Sequence, residues 1–372
     1  MEFIDLKAQY KKLKTEIDAN IQKVLNHGHY LMGPEVAELE QQLAEYVGVK
    51  HCITCANGTD ALHMVLMAWG IKKGDAVFVP TFTFMSTAEV VSLVGATPVF
   101  TDIDLKTFNM DAASLEQQIE KVIAEGKLTP KAIIPVDLFG QPADYSKILP
   151  VAKKYNLLVL EDGAQGFGGN INGKMACSFG DAATTSFFPA KPLGCYGDGG
   201  AIFTDDDELA QLLVSIRIHG KGKEKYDNVR IGLNSRLDTI QAAILLPKLK
   251  AFKEYELQKR NEVAAAYTKG LSGKYVTPTV LLGFTSSWAQ YTLLLDNAQQ
   301  RAELQAKLKE AGIPSMVYYP KCLHQQTCYA ALGYKTGSLL NAERASQGVL
   351  SLPMSPWIKA EEQEKVIEIL LK

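Results

Sequence analysis

Lysine is usually a solvated surface charge, yet Lys191 stands in Ser186-Phe-Phe-Pro-Ala-Lys191-Pro-Leu-Gly194, among Phe187, Phe188, Pro189, Pro192 and Leu193. Apolar surroundings disfavour the charged amine, lower its pKa and let it act as nucleophile or base. Pro192 biases Lys191 away from helix, into a loop just past a strand. A second group, Glu161-Asp162-Gly163-Ala164-Gln165, ends the apolar run Leu157–Leu160. A carboxylate there can simply cap the next turn; in a cleft, Asp162 would face a cation. The third group is Asn57-Gly58-Thr59-Asp60, at the start of a helical stretch. Gly58 admits close approach, the helix start offers unpaired N–H groups, and Thr59 adds a hydroxyl, a combination that suits phosphate. An ordinary N-cap on Thr59 or Asp60 is as common a reading, and the motif decides nothing alone.

The elements that must position these groups alternate. Pro34–Val47 reads as a helix with Val36, Leu39, Leu43 and Tyr46 on one stripe, and Asp60–Trp69 as another with Leu62, Val65, Leu66 and Trp69. Short apolar runs read as buried strands at Ala76–Val79, Pro98–Thr101, Ala132–Val136, Leu157–Leu160, Thr184–Phe188 and Ala201–Thr204. Strands alternating with helices argue for an α/β fold with a largely parallel sheet covered on both faces. Ligands of such sheets sit at the carboxyl ends of the strands, where all three groups fall. A long helix is expected from Arg236 to about Leu257, kinked at Pro247. Beyond it come a helix from 258, a strand near Ala289–Leu295, a helix over Gln300–Ala311, a strand near Ser315–Tyr319 and a helix over Ala360–Leu371. These divide the chain into a large α/β domain, residues 1–250, and a small C-terminal α+β domain, residues 251–372.

Composition excludes several classes. The 372 residues suit about two domains, and 47% hydrophobic with 22% charged is ordinary for a soluble globular protein. Lys plus Arg is 39 against 41 Asp plus Glu, so the basic excess of a nucleic-acid binder is missing. Acidic neighbours dilute the basic stretch Lys221, Lys223, Lys225. No apolar run reaches membrane-span length, and the acidic N-terminus does not read as a signal peptide. Cys52 and Cys55 have C-x-x-C spacing inside a β-like run, which favours buried small hydrophobes over a redox pair. Cys322, His324 and Cys328 are a weak metal signal, and no metal is expected. A reducing, cytoplasmic setting fits.

A phosphate cradle, a strand-end aspartate and a loop lysine on a parallel sheet are what pyridoxal 5'-phosphate requires. The chain also resembles the DegT/DnrJ family of sugar aminotransferases, pyridoxal phosphate enzymes of fold type I, almost end to end. The resemblance rests on Phe3-Ile-Asp-Leu-Lys7, Gly33-Pro-Glu35, Gly58-Thr-Asp-Ala-Leu62, Pro80-Thr-Phe-Thr-Phe84, Asp137-Leu-Phe-Gly-Gln-Pro142 and Glu161-Asp-Gly-Ala-Gln165. It continues through Ser186-Phe-Phe-Pro-Ala-Lys191, Gly197-Asp-Gly-Gly200, Gly232-Leu-Asn-Ser-Arg-Leu-Asp238 and Leu352-Pro-Met354. Each is weak alone; in this order and spacing they are specific.

The resemblance implies roles. Lys191 would carry the Schiff base. Asp162 would face the pyridine nitrogen and Phe84 would stack on the ring. Gln165 would sit near the ring hydroxyl. Gly58, Thr59 and Ser186 would hold the phosphate. Asn234 would reach it from the other subunit of a homodimer with shared sites. Arg230, Tyr318 and Tyr319 would face the sugar. The implied reaction is ping-pong transfer of an amino group from L-glutamate, leaving 2-oxoglutarate and pyridoxamine phosphate, and then to a keto nucleotide sugar. The run Ser186–Thr204 and the run Asn234–Leu249 are most similar to members acting at C3 of UDP-2-acetamido-2-deoxy-3-oxo-glucuronate. The implied setting is cytoplasmic synthesis of amino sugars for lipopolysaccharide O-antigen or other surface polysaccharide.

Three positions depart from the family pattern. Tyr318 stands where many members have histidine, Ser355 where Leu-Pro-Met is often followed by histidine, and Gly163 where alanine is commoner. A phenol is far less basic than imidazole, so Tyr318 bears on the sugar. Rival substrates are a UDP-4-keto-6-deoxy sugar and a dTDP-3-keto-6-deoxyhexose. Intact Lys191 argues against a dehydratase, and with Asp162 against a silent binding or regulatory protein. No G-x-G-x-x-G follows a strand and opens a helix, which discounts a nicotinamide enzyme.

Overall fold

Apolar strands alternating with one-sided helices bury their faces by stacking in layers, and the computed structural model of the protein has that architecture. It describes residues 1–224 and 226–372; Lys225 of the basic stretch lies outside the described residues. In chain order, α1 (Leu6–His27) and α2 (Pro34–Val47) precede β1 (His51–Cys55), α3 (Gly58–Ala68), β2 (Asp75–Pro80), α4 (Ser86–Leu93) and β3 (Thr97–Thr101). Next come α5 (Ala112–Glu125), β4 (Thr129–Ile133), α6 (Tyr145–Tyr155), β5 (Leu158–Asp162), β6 (Asn170–Ile171) and β7 (Lys174–Met175). They lead to β8 (Ala182–Ser186), β9 (Gly200–Thr204), α7 (Asp207–Ile216), α8 (Thr239–Ala251) and α9 (Leu257–Leu271). The last elements are β10 (Phe284–Thr285), β11 (Tyr291–Leu294), α10 (Ala298–Glu310), α11 (Leu340–Gly348), β12 (Val349–Leu352) and α12 (Ala360–Leu371).

The main sheet has the order β1-β9-β8-β5-β4-β2-β3. Strand β9 runs antiparallel to both neighbours, and the other pairs are parallel. All of β2 is buried, as a parallel strand between two helical layers must be. On one face, Leu62, Val65 and Leu66 of α3 pack with Val90 of α4 and Leu213 of α7. On the other, Leu39 and Leu43 of α2 meet Leu245 and Leu249 of α8, while Leu115 and Ile119 of α5 meet Ile148 of α6. Each such side chain contributes about 1.5–3 kcal/mol when fully buried. A separate core of α9, α10 and α12 covers β11 and β12, with Tyr267, Leu308 and Val366 on Leu293 and Leu350. A third cluster joins the sheet's carboxyl edge to this C-terminal part, with Phe82 and Phe139 against Leu294, Ala342 and Val349.

Several expected elements are corrected. The helix expected from Asp60 starts at Gly58, because Asn57 Oδ1 accepts the Asp60 N–H at 2.8 Å and is itself the cap. Helix α1 has only a sparse apolar stripe; its buried Leu13 and Ile17 lie on Ile244 and Ala251 of α8. Residues Ser315–Tyr319 form no strand, since Met316 makes only an isolated bridge to Ser351. Pro314 and Pro320 bracket that segment and cannot donate to a ladder. Residue 250 lies in a helical run from Thr239 to Leu271. Pro247 is inside α8, and the irregular turn comes later, as a π-helical turn at Phe252–Glu256 that buries both of its end residues. Among the described residues no helix is long and apolar enough to cross a membrane.

Candidate active site

Strands β1, β2, β5 and β8 all end at one edge of the sheet, and that edge collects the singled-out residues. Asp162 ends β5, is 5% exposed, and accepts a hydrogen bond from Thr87 Oγ1 at 2.8 Å and one from the Ala164 N–H at 3.2 Å. Burial pushes its carboxyl above the usual range; the two hydrogen bonds and the charge on Lys191 pull it back. Lys191 sits in the turn after β8, its backbone N–H bonded to the Phe188 carbonyl at 2.8 Å. Burial pulls its ammonium below the ordinary value, and Asp162 opposes that. The expected apolar surround is partly corrected, since Phe187, Pro192 and Leu193 are buried but Phe188 is half-exposed. A small cavity behind the turn is lined by Lys191, Asp5, Arg260, Ser355 and Trp357, so Ser355 and the lysine loop border the same space.

Helix α3 begins between β8 and β9. A Cβ on Gly58 would lie 2.7 Å from Ser186 Cβ, and one on Gly200 would lie 2.5 Å from the Asn57 carbonyl carbon. Only glycine permits both approaches, and they bring Ser186 to the first turn of α3. Thr59 Oγ1 is 2.7 Å from Ser86 Oγ, at the start of α4. Hydroxyls and free N–H groups thus converge at one helix N-terminus.

Phe84 follows β2 and is 55% exposed, so it is no core aromatic; its ring lies 6.5 Å from that of Tyr319. Gln165 is buried and has both amide atoms engaged. Its Oε1 accepts the Phe139 N–H at 2.9 Å, and its Nε2 donates to the Tyr319 hydroxyl at 3.3 Å. Tyr318 is half-buried between Phe3 and Tyr319. His324, weighed as part of a metal signal, locks this segment to β2. Its Nδ1 is 2.7 Å from Thr81 Oγ1, its backbone N–H donates to that oxygen at 3.0 Å, and its Nε2 is 3.2 Å from Glu343 Oε1. Both ring nitrogens are therefore taken. Among the described residues no cluster of His, Cys, Asp or Glu could hold a metal.

Asn234 is placed elsewhere. It lines a cavity of about 550 Å³ with Asn57, Gly197, Arg236 and Gln241, on the flank of the α3 N-terminus. The adjacent Ser235 anchors that segment, donating to Asp60 Oδ2 at 2.6 Å. Arg230 is not brought to Lys191; its guanidinium bonds Ser215 Oγ of α7. Arg236, which the sequence does not single out, shares that cavity, bonds Asn234 and keeps a buried Nε without a partner. A guanidinium two places from a singled-out asparagine was the available signal.

The Gly163 departure has a packing reason. A Cβ there would lie 2.5 Å from Cys177 Sγ and 3.1 Å from the Thr184 carbonyl oxygen. Gly163→Ala is expected to cost about 1–3 kcal/mol by overpacking. In a Cys177→Ala background, where the sulfur is gone, the same change is expected to cost less than about 1 kcal/mol. Urea titration of the four proteins measures this; equal costs in both backgrounds would place the strain elsewhere.

These residues fit pyridoxal phosphate. Asp162 is a buried carboxylate whose hydrogen-bond donors are neutral, so it is still open to a cationic partner. Lys191 is a desolvated amine, and the α3 N-terminus is lined by hydroxyls. The profile of the DegT/DnrJ/EryC1/StrS aminotransferase family matches residues 11–371. The UDP-2-acetamido-2-deoxy-3-oxo-D-glucuronate aminotransferase of Pseudomonas aeruginosa is 50% identical over 96% of this chain and 96% of its own. A crystal structure of a family aminotransferase from Brucella abortus superposes with a TM-score of 0.96 at 50% identity, covering 100% of this chain and 98% of that one. NtdA of Bacillus subtilis, solved with its cofactor PMP bound, gives a TM-score of 0.87 at 31% identity over 99% of this chain and 82% of that one.

Proposed function

This chain belongs to the DegT/DnrJ/EryC1/StrS aminotransferase family, and from that premise we propose the following reading. It is a pyridoxal phosphate-dependent aminotransferase that moves an amino group from L-glutamate to C3 of UDP-2-acetamido-2-deoxy-3-oxo-glucuronate. The observation that carries the chemistry is the desolvated Lys191 set against the buried Asp162 at the sheet's carboxyl edge. The sugar is supported by the half-identical Pseudomonas enzyme.

When bound, pyridoxal phosphate supplies the carbonyl carbon that takes up an amine and a ring that accepts electron density. Lys191 Nζ holds the group between turnovers. Once released, it moves the proton at the donor's α-carbon and later delivers one to the sugar carbon. Its lowered pKa keeps more of the amine unprotonated near neutrality. Asp162 would hold a proton on the ring nitrogen, with Thr87 orienting that carboxylate. Gly58, Thr59 and Ser186 bind the phosphate. Phe84 would lie against the ring and keep water from it. Gln165 stands by the ring hydroxyl and fixes Tyr319. Tyr318 and Tyr319 face the sugar. In a homodimer, Asn234 and Arg236 of one protomer complete the phosphate and diphosphate contacts of its partner. The same reading places the enzyme in the cytoplasm, supplying amino sugars for O-antigen or related surface polysaccharide.

The test is spectroscopic. The cofactor-loaded protein is treated with L-glutamate until the visible band is lost, then given UDP-3-keto-N-acetylglucosaminuronate or a UDP-4-keto-6-deoxy sugar in separate cuvettes. The band is expected to return with the 3-keto uronate. Return only with the 4-keto sugar would reassign the substrate and point first to Tyr318. No change with glutamate would remove the catalytic reading and favour a binding or regulatory protein.

A further inference from the structure

Glu161 and Asp162 are neighbours on β5, so their side chains point to opposite faces of the sheet. Asp162 faces the site. Glu161 faces away, fully buried, against the equally buried Asp137. Their carboxyl groups lie close enough to act on one another as hydrogen-bond partners. Two carboxylates cannot make that bond, because neither has a hydrogen to donate.

The other partners show which group holds the hydrogen. Glu161 Oε1 accepts the Cys177 N–H, and Oε2 accepts the Phe179 N–H at 2.7 Å. Those donors favour the anion. Asp137 Oδ1 accepts the Ala143 N–H and the Tyr145 hydroxyl, both at 2.9 Å. Asp137 Oδ2 is buried and has no other partner. A buried oxygen without a donor, on a carboxyl group that meets a second carboxyl, is accounted for when it carries the proton and donates it.

The backbone connects this pair to the site. The Asp137 N–H donates to the Asp162 carbonyl at 3.1 Å, and the Asp162 N–H donates to the Pro135 carbonyl at 2.9 Å. We propose that Asp137 and Glu161 share a single proton, and that this neutral–anionic pair is the positioning element that holds the end of β5, and with it Asp162, at its working height. The function of the pair rests on the reading of Asp162 given above; the shared proton does not.

The titratable groups facing the pair are Tyr145 of α6, Cys177 and Lys174 of β7. Burial raises the Asp137 carboxyl far above its ordinary value, and the Glu161 charge adds to that. Burial also raises the Tyr145 hydroxyl and the Cys177 thiol, so both stay neutral. The sign follows. Above the unfolded carboxyl value of about 4, the native state holds one proton that the unfolded chain has released. Stability from this proton is complete below that value. It is lost as pH rises through the folded value.

Asp137→Asn is the discriminating variant. Its amide keeps the acceptor for Ala143 and Tyr145 and donates to Glu161 without a titrating proton. The cofactor-loaded proteins are unfolded in urea at fixed concentration between pH 5.5 and 8. The wild-type folding constant is expected to fall as pH rises, by up to about tenfold per pH unit, relative to Asp137→Asn. Parallel pH profiles would overturn the shared proton. In the glutamate half-reaction, Asp137→Leu is expected to slow the rate tenfold or more, and Asp137→Asn to restore most of it. An unchanged rate in Asp137→Leu, or an Asn variant as slow as Leu, would overturn the positioning role. If the wild type gives no half-reaction at all, the functional reading has failed, and the urea profiles still decide the shared proton.

Discussion

Lys191→Ala is expected to lower glutamate-driven turnover by at least about 10⁴-fold, since one amine acts both as nucleophile and as proton carrier. The fold should not suffer. Burial holds the Lys191 pKa below its unfolded value, so at neutral pH, where the unfolded lysine is charged, the side chain is a small net burden on the native state. The urea midpoint of the variant is expected to match or exceed that of the wild type. Formation of 2-oxoglutarate in a coupled assay, with and without a small primary amine, is the measurement. Partial recovery with the added amine is the expected signature, and near wild-type turnover without it would sink the assignment of Lys191.

The second large effect is expected at Asp162. Asp162→Asn keeps the volume and one acceptor oxygen, which can take the Ala164 N–H while the Thr87 hydroxyl turns to accept from the new amide, yet removes the charge. If Asp162 faces the ring nitrogen as proposed, losing its buried charge is expected to lower kcat about 10²–10³-fold. Stability moves the other way. The folded carboxyl is raised by burial, so its stabilising contribution is present below about pH 4 and fades as pH rises through the folded value. The cofactor-free variant is therefore expected to gain on the wild type between about pH 4 and neutrality. Retained turnover in Asp162→Asn would show that the charge does no catalytic work.

Much of the site could be read because its chemistry is local. Lys191 is conspicuous from five neighbours in sequence, Asp162 from the apolar strand before it, and Thr59 from the helix that follows. Buried strands and one-faced helices also declare themselves locally, which is why β2, β3, β9, α2 and α12 lie where their patterns place them. Helix α1 escaped notice because a surface helix touching one neighbour needs only a thin apolar stripe. The contact of Arg230 is hidden for a related reason, because a charged loop does not reveal that its arginine folds back, as Arg230 does onto Ser215.

Local residue patterns suffice for the kind of chemistry: a desolvated amine, an acid and an anion cradle, spaced along a parallel sheet so that strand ends present them. Tertiary structure alone decided which groups meet. Thr87 reaches Asp162 across 75 positions and Tyr319 reaches Gln165 across 154. Thr81 and His324 are 243 apart. Asp137 finds Glu161 because β5 lies beside β4 and the chain continuing from it. Such pairings follow from strand order and register, which arise when many weak burial energies are satisfied together. A run of residues reports its own periodicity and burial, whereas its neighbour in the sheet is chosen by the whole chain.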